Sequence, residues 1–479
     1  MAELKNYQMY INGEWVAAQS GKTFESINPS DGKPWAVVPE ADEVDVDTAV
    51  KAAHRAFTEG PWSTMTATER GKLLRRLGDV LAEHSESLGH CETVDTGKLF
   101  KETRWQARYI SDYFYYYAGL ADKVSGETLP IDKPNMWTMT IREPLGVVAA
   151  VVPWNSQLFL VAVKIGPALA AGNTVVLKAS EHASAPMLEF AKVFEEAGFP
   201  PGVFNVISGL GEPCGRALTS HPLVDRISFT GGPETARHVV RNSAENFAQV
   251  SLELGGKSPV VIFDDADLES ATNGVLLSIF SASGQSCVAG SRLLLHESIH
   301  DEVLARVAEK ASKIRIGDPL DENSQMGPLA TQAQLNNIDS TVADAKANGA
   351  TLVMGVNSLP AWETVGTTNP RSWHVRTSRS VSYSVSSSDR SSVHLGLPTK
   401  PTHSSSPTTV VSDSLQASSQ QISGVLCELP KAFAVVLSGS TLTGWSHHLP
   451  HSGVIRTVAT AANPALRRSM TILGPKLSG

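Results

Sequence analysis

Cysteine is scarce. Only Cys91, Cys214, Cys287 and Cys427 occur among 479 residues, far apart and without a Cys-x-x-Cys pair or an adjoining His cluster. A disulfide scaffold and a zinc site are therefore not expected, no metal ligands are assigned, and a reducing compartment fits best. No apolar run approaches the roughly 20 residues that span a bilayer. The first ten residues lack the basic-then-apolar pattern of a signal segment. No membrane partner and a cytoplasmic location are the expectation. A basic excess is also missing: the formal charge is −8, which argues against a nucleic-acid partner. There are no internal repeats.

What remains is an ordinary globular composition, 42% hydrophobic and 18% charged. The length allows two or three domains, each with its own core. Apolar residues at helical spacing predict helices over Ala49 to Phe57, Arg70 to Ala82, Val163 to Ala171, Ala185 to Glu196, Pro233 to Asn242, Ile299 to Ile314 and Gln332 to Asn348. Short β-branched runs predict strands at Gly146 to Val152, Thr174 to Leu177, Val203 to Ile207, Arg226 to Phe229 and Pro259 to Phe263. This β-α-β-α rhythm predicts an α/β protein with a mostly parallel sheet covered on both faces.

After Met354-Gly355 the character changes. From Arg371 to Gln420, 22 of 50 residues are Ser or Thr, and Asp389 and Asp413 are the only acids. Amphipathic periodicity stops there, so poor order is expected.

The segment with most chemistry is Ser283-Gly284-Gln285-Ser286-Cys287. Glycine permits a tight turn, and the turn presents a cysteine after a helix-like stretch. A thiolate there would attack an aldehyde to give a thiohemiacetal. A lone cysteine is more often structural, so its neighbours decide. Leu252-Glu253-Leu254-Gly255-Gly256-Lys257 sets one carboxylate between leucines and a glycine pair. Glu253 is either a surface residue ending a strand or a base able to activate water against a thioester. Pro153-Trp154-Asn155 follows the strongest strand; Asn155 either shapes a turn or donates to an oxyanion together with the Cys287 N–H.

Two segments suit a dinucleotide. Lys178 and Glu181, at the end of a strand, are placed to reach ribose hydroxyls, and Glu181 would repel a 2′-phosphate, favouring NAD over NADP. In Ser228-Phe229-Thr230-Gly231-Gly232 a strand opens into glycines before a helix, which suits pyrophosphate or nicotinamide. Either segment reads equally as an ordinary strand-to-helix turn. Gly209 to Gly215 has the wrong spacing for Gly-x-Gly-x-x-Gly and carries little weight.

In this order and spacing, from Tyr10-Ile-Asn-Gly-Glu-Trp15 to about Gly355, the segments resemble the NAD(P)-dependent aldehyde dehydrogenase superfamily. The resemblance implies a Rossmann-type dinucleotide-binding domain (1–125 and 146–254). It also implies part of a bridging arm (126–145) and an α/β catalytic domain (255–355) left incomplete by an aberrant region (356–479). It implies Cys287 as nucleophile, Glu253 as general base and Asn155 as oxyanion donor. Pro153, Trp154, Lys178, Glu181, Phe229, Thr230, Gly231, Gly232, Leu254 and Gly255 would line the cofactor site. The cofactor would be NAD, with NADP second; the substrate would be a small-molecule aldehyde whose identity the sequence does not name. Such enzymes are homo-oligomers, but the altered C-terminus tells against that assembly here.

The chain departs from the family pattern at Ser156-Gln157, where an aromatic residue and Pro are usual. Ala236 stands in place of a Gly, and Ala282 in place of an Asn. These bear on substrate shape and cofactor pose. Trp154, Gln157 and Phe280 are candidates for the substrate tunnel or for the core. Two alternatives stand beside aldehyde oxidation. One is a catalytically silent remnant that binds nucleotide or subunits; the other is a CoA-acylating relative, against which Glu253 argues.

The family's C-terminal motifs, Gly-Tyr/Trp-Tyr/Phe-x-Pro-Thr and Glu-Glu-Ile/Val-Phe-Gly-Pro, are missing as written. Joining the third base of each codon to the first two of the next restores much of them. Trp362-Glu363 then forces Gly, and Ala361 to Trp373 becomes compatible with Leu-Gly-Asn-Gly-Trp-Tyr-Tyr-Glu-Pro-Thr-Ile-Leu. Met470-Thr471 forces Asp within a stretch similar to the family's end, while Gly424 to Phe433 fits in the written frame. A frameshifted or mis-spliced C-terminus is the expectation, set against a lineage-specific disordered tail. An unbroken, error-free frame through codon 356 would refute it.

Overall fold

A computed structural model describes residues 4–354, together with the backbone strands Val381–Tyr383, Ser392–Leu395 and Leu466–Leu473. Apart from those strands, the region expected to be poorly ordered, 356–479, lies outside the described residues. The chain divides into two compact units. Among the described residues, one holds everything up to Leu254 together with Asp318–Glu322, and the other holds Gly255–Gly317 and the stretch from Asn323 to Met354.

The first unit is built on a seven-stranded sheet. Its order is Gln249–Leu254, Val224–Gly231, Val147–Val151, Thr174–Lys178, Phe204–Ile207, Met9–Ile11, Glu14–Val16. The first five strands are mutually parallel, and the last two join antiparallel at the edge. Alternate residues feed opposite faces, as the two-residue strand period requires. Val148, Ala150, Val175 and Leu177 enter one apolar cluster with Leu74, Leu77, Ile110, Phe114, Leu158 and Ile165. Val147, Ala149, Val176 and Ile227 enter the other, with Val46, Ala49, Val50 and Ala53. Burial on both faces explains why these strands read as continuous apolar runs.

The predicted helices form with small shifts of boundary: Glu43–Thr58, Ala67–Glu83, Ala185–Ala197 and Pro233–Asn242. The first two begin with capping boxes, Asp42 with Asp45 and Thr66 with Glu69, each satisfying N–H groups that a helix start leaves open. The helix expected from Val163 starts at Gln157 and runs to Ala170. A 21-residue helix, Phe100–Leu120, was not expected from periodicity.

Within the second unit, Ser258–Ile262 and Gly290–Leu295 pair in parallel. The helices Leu268–Phe280 and His300–Ser312 bury Val275, Ile279, Val303 and Val307 with Val260, Ile262, Leu293 and Leu295. Gln332–Ala347 follows. No helix among the described residues is long and apolar enough to cross a membrane.

Candidate active site

The five parallel strands run in sequence order 5-4-1-2-3, so the winding reverses beside the strand Val147–Val151. Its two neighbours leave toward opposite faces, and their carboxyl ends cannot both be covered by connecting chain. Ligands of open α/β sheets bind at such a switch point. The register shows which residues stand there. Val151 pairs with Lys178 on one side and Phe229 on the other. Thr230 pairs with Glu253, and Gly231 with Leu254. Pro153, Trp154 and Asn155, all half-buried, continue directly from Val151. Residues spread over 100 positions of sequence thus share one edge of one sheet.

Their side chains divide the work. Lys178 is 4% exposed, and its Nζ lies 3.5 Å from Glu181 Oε2. Glu181 is therefore an ion-paired carboxylate. Phe229 belongs to the buried apolar cluster. A Cβ at Gly231 would lie 2.5 Å from its ring, whereas one at Gly232 would meet nothing within 4 Å. Thr230 Oγ1 is buried without a hydrogen-bond partner. The open space lies at Gly232, the N-cap of the helix Pro233–Asn242, and suits a ligand whose phosphates face helix N–H groups. The residue types at this edge fit a dinucleotide: Lys178 and Glu181 could hold a ribose, and the open backbone at Gly232 could hold a phosphate. Gly215, in the segment given little weight, also adjoins Lys178; a Cβ there would lie 3.5 Å from Lys178 Cε.

One residue escaped sequence reasoning. Lys164, on the helix after Asn155, is 8% exposed and donates from Nζ to Ser228 Oγ at 3.2 Å. Burial lowers its pKa to about 7; Glu253 opposes that shift, and Arg226 adds to it. A lone Lys within Gln157-Leu-Phe-Leu-Val-Ala-Val-Lys164 gives no pattern signal, because its role depends on the strands above it.

In the second unit, Cys287 is exposed. The helix Leu268–Phe280 ends in a turn with three consecutive left-handed residues: Ala282 at φ 51°, Ser283 at 56° and Gly284 at 72°. Two of them are not glycine, so the turn stores backbone strain of about 1–3 kcal/mol per residue. Side-chain bonds hold it. Ser283 Oγ donates to Gly327 O at 3.1 Å, and Gln285 Oε1 accepts from Ala330 N–H at 3.0 Å. Ala289 N–H then donates to Ser286 O at 3.2 Å, so Cys287 rides the outside of a tight turn leading into Gly290–Leu295. Gly255 also belongs to this unit and is exposed. Phe280 lies in this unit's buried cluster.

A doubly wound parallel sheet with this switch point is a nucleotide-binding architecture. The "Aldehyde dehydrogenase family" profile matches residues 15–367. The (Z)-2-((N-methylformamido)methylene)-5-hydroxybutyrolactone dehydrogenase of Acinetobacter baylyi is 55% identical over 354 residues, 74% of this chain and 72% of its own length. Aldehyde dehydrogenase family 2 member C4 of Arabidopsis thaliana is 42% identical over 361 residues, covering 75% and 72%. The NAD+ complex of a Bacillus cereus aldehyde dehydrogenase superposes with a TM-score of 0.75 at 38% identity, covering 81% of this chain and 76% of that one. The chain belongs to the aldehyde dehydrogenase family, enzymes that oxidise aldehydes with NAD(P)+. Neither a silent remnant nor a CoA-acylating enzyme is favoured by these relatives.

Proposed function

We propose that the chain oxidises an aldehyde to a carboxylic acid through an acyl-enzyme on Cys287. The observation that carries this reading is the register of the first sheet, which sets Glu253 beside Thr230 at the edge where Asn155 emerges. A carboxylate and an amide donor at a nucleotide-binding edge are what a thiol needs for a two-stage oxidation.

The Cys287 thiolate adds to the aldehyde carbonyl, forming a C–S bond and a tetrahedral oxyanion. The Asn155 amide and the Cys287 N–H stabilise that charge. The dinucleotide, when bound, supplies the hydride acceptor. Loss of hydride leaves a thioester on Cys287. Glu253 takes a proton from water, the water attacks the thioester carbonyl, and the carboxylic acid leaves as the thiol is restored. Lys178 and Glu181 hold the ribose, with Glu181 favouring NAD over NADP. Pro153, Trp154, Gly231, Gly232, Leu254 and Gly255 complete the nucleotide surface, and Phe229 supports it from below. A free catalytic thiol suits the reducing cytoplasm.

The family match ends at residue 367, and about a quarter of the length of each relative above lies outside what this chain matches. This supports a lost reading frame after Gly355, with the missing stretch needed for full activity and for subunit pairing. The test is an aldehyde panel with NAD and NADP, run on the chain as written and on a frame-restored version. Aldehyde-dependent NADH formation abolished by Cys287→Ala is expected. Turnover that survives this substitution would refute the assignment.

A further inference from the structure

Lys98 and Glu92 form a buried ion pair. Their side chains are 2% and 0% exposed, with Nζ 3.2 Å from Oε1. Desolvation offsets most of the attraction in such a pair, so its main contribution is geometric. Lys98 Nζ also donates to Gln106 Oε1 at 2.6 Å and to Ser156 Oγ at 3.0 Å. The second Glu92 oxygen, Oε2, accepts from the Leu158 backbone N–H at 3.4 Å.

Ser156 follows Asn155 and is the N-cap of the helix Gln157–Ala170, yet its side chain caps no N–H of that helix. Glu92 takes over that task at Leu158, one of the N–H groups a helix cannot satisfy itself. One end of the ion pair thus holds a hydroxyl at residue 156, and the other holds backbone at residue 158. The backbone adds one bond at the same residue, Leu160 N–H donating to Ser156 O at 3.0 Å. Residue 157 is not a proline with a fixed φ, and both amide atoms of Gln157 are buried without a partner.

We propose that Glu92 and Lys98, acting through Ser156 and Leu158, are positioning residues that aim Asn155 at the oxyanion. This rests on the reading of Asn155 as oxyanion donor. A donor contributes to the transition state only when its direction is set beforehand, and a misplacement near 1 Å can cost about 10²-fold. The Lys98–Ser156 bond is the part of the tether that can be removed without exposing a buried charge.

The test is a double-mutant cycle on the full chain, read by the pre-steady-state burst of p-nitrophenolate from p-nitrophenyl acetate without nucleotide. That burst reports acylation of Cys287 alone. Asn155→Ala is expected to slow it about 10²-fold. Ser156→Ala should slow it about 10-fold with the half-saturating ester concentration unchanged, and Ser156→Thr, which keeps the hydroxyl, should restore it. The double variant should be no slower than Asn155→Ala. If Asn155→Ala is slow but Ser156→Ala is not, or if the two losses multiply, the positioning role is overturned and the oxyanion reading stands. A normal burst in Asn155→Ala overturns both. Failure of Ser156→Thr to recover the rate would also contradict the tether.

Discussion

Thr230 and Glu253 are register partners on adjacent parallel strands, one carrying a buried hydroxyl without a hydrogen-bond partner and the other the proposed base. A protein seldom keeps a buried hydroxyl unpaired unless something else completes it. If the nucleotide does so, Thr230→Val should raise the dissociation constant for NAD about 5- to 10-fold, the loss of roughly one hydrogen bond. The same change should leave thermal stability equal or higher, because it deletes an unsatisfied group. Titration calorimetry and a melting curve check the two halves; lost stability with unchanged NAD affinity would contradict the assignment.

Alkylation should separate the three described thiols. Cys91 and Cys214 are buried, and burial raises both pKa values, that of Cys214 to about 11. At pH 8 Cys214 would be thiolate only about one part in 10³, before any steric barrier is counted. Iodoacetamide at pH 8 should therefore label Cys287 first, and NADH formation should fall in step with that label. Peptide mapping over time is the measurement.

The strained turn before Cys287 makes a stability prediction. Ala282 holds φ 51°, a region in which a non-glycine residue is disfavoured and Asn is better tolerated. Ala282→Asn should stabilise the protein by about 0.5–1 kcal/mol, measured by denaturant unfolding. A destabilised variant would show that the turn needs a small residue more than it needs relief.

Lys164 makes a pH prediction. An unfolded lysine loses its proton near pH 10.4, and Lys164 in the fold does so at about 7. Between these values the unfolded chain binds more protons, so stability should rise with pH across that window, by about 1 kcal/mol per unit from this group. Below pH 7 both states are protonated, and the burial penalty is paid in full. Lys164→Met should flatten the slope between pH 7 and 10, seen as melting temperature against pH in the two proteins.

The legible part of the fold is the part governed by local pattern. Val147–Val151 and Thr174–Lys178 declare themselves because strands buried on both faces must be apolar throughout. Asn155, Lys178, Thr230 and Glu253 were readable as strand ends. That they share one edge was not, because strand order is a tertiary property. The helix Phe100–Leu120 hides behind Tyr113-Phe-Tyr-Tyr-Tyr117, whose aromatics obscure any one apolar face. Gln157–Ala170 starts early because Ser156 ends the turn there, held by Lys98 from 58 positions away. The left-handed pair Ala282-Ser283 breaks local preference, as functional turns do.

The proposed thioester can be caught directly. Glu253→Gln removes the base but leaves the thiol, so one turnover with aldehyde and NAD should release about one equivalent of NADH per active chain and then slow by roughly 10²- to 10⁴-fold. Intact and peptide mass spectrometry of that stalled enzyme should find the acyl mass on the Cys287 peptide. An acyl group elsewhere, or none beside a full NADH burst, would contradict the account.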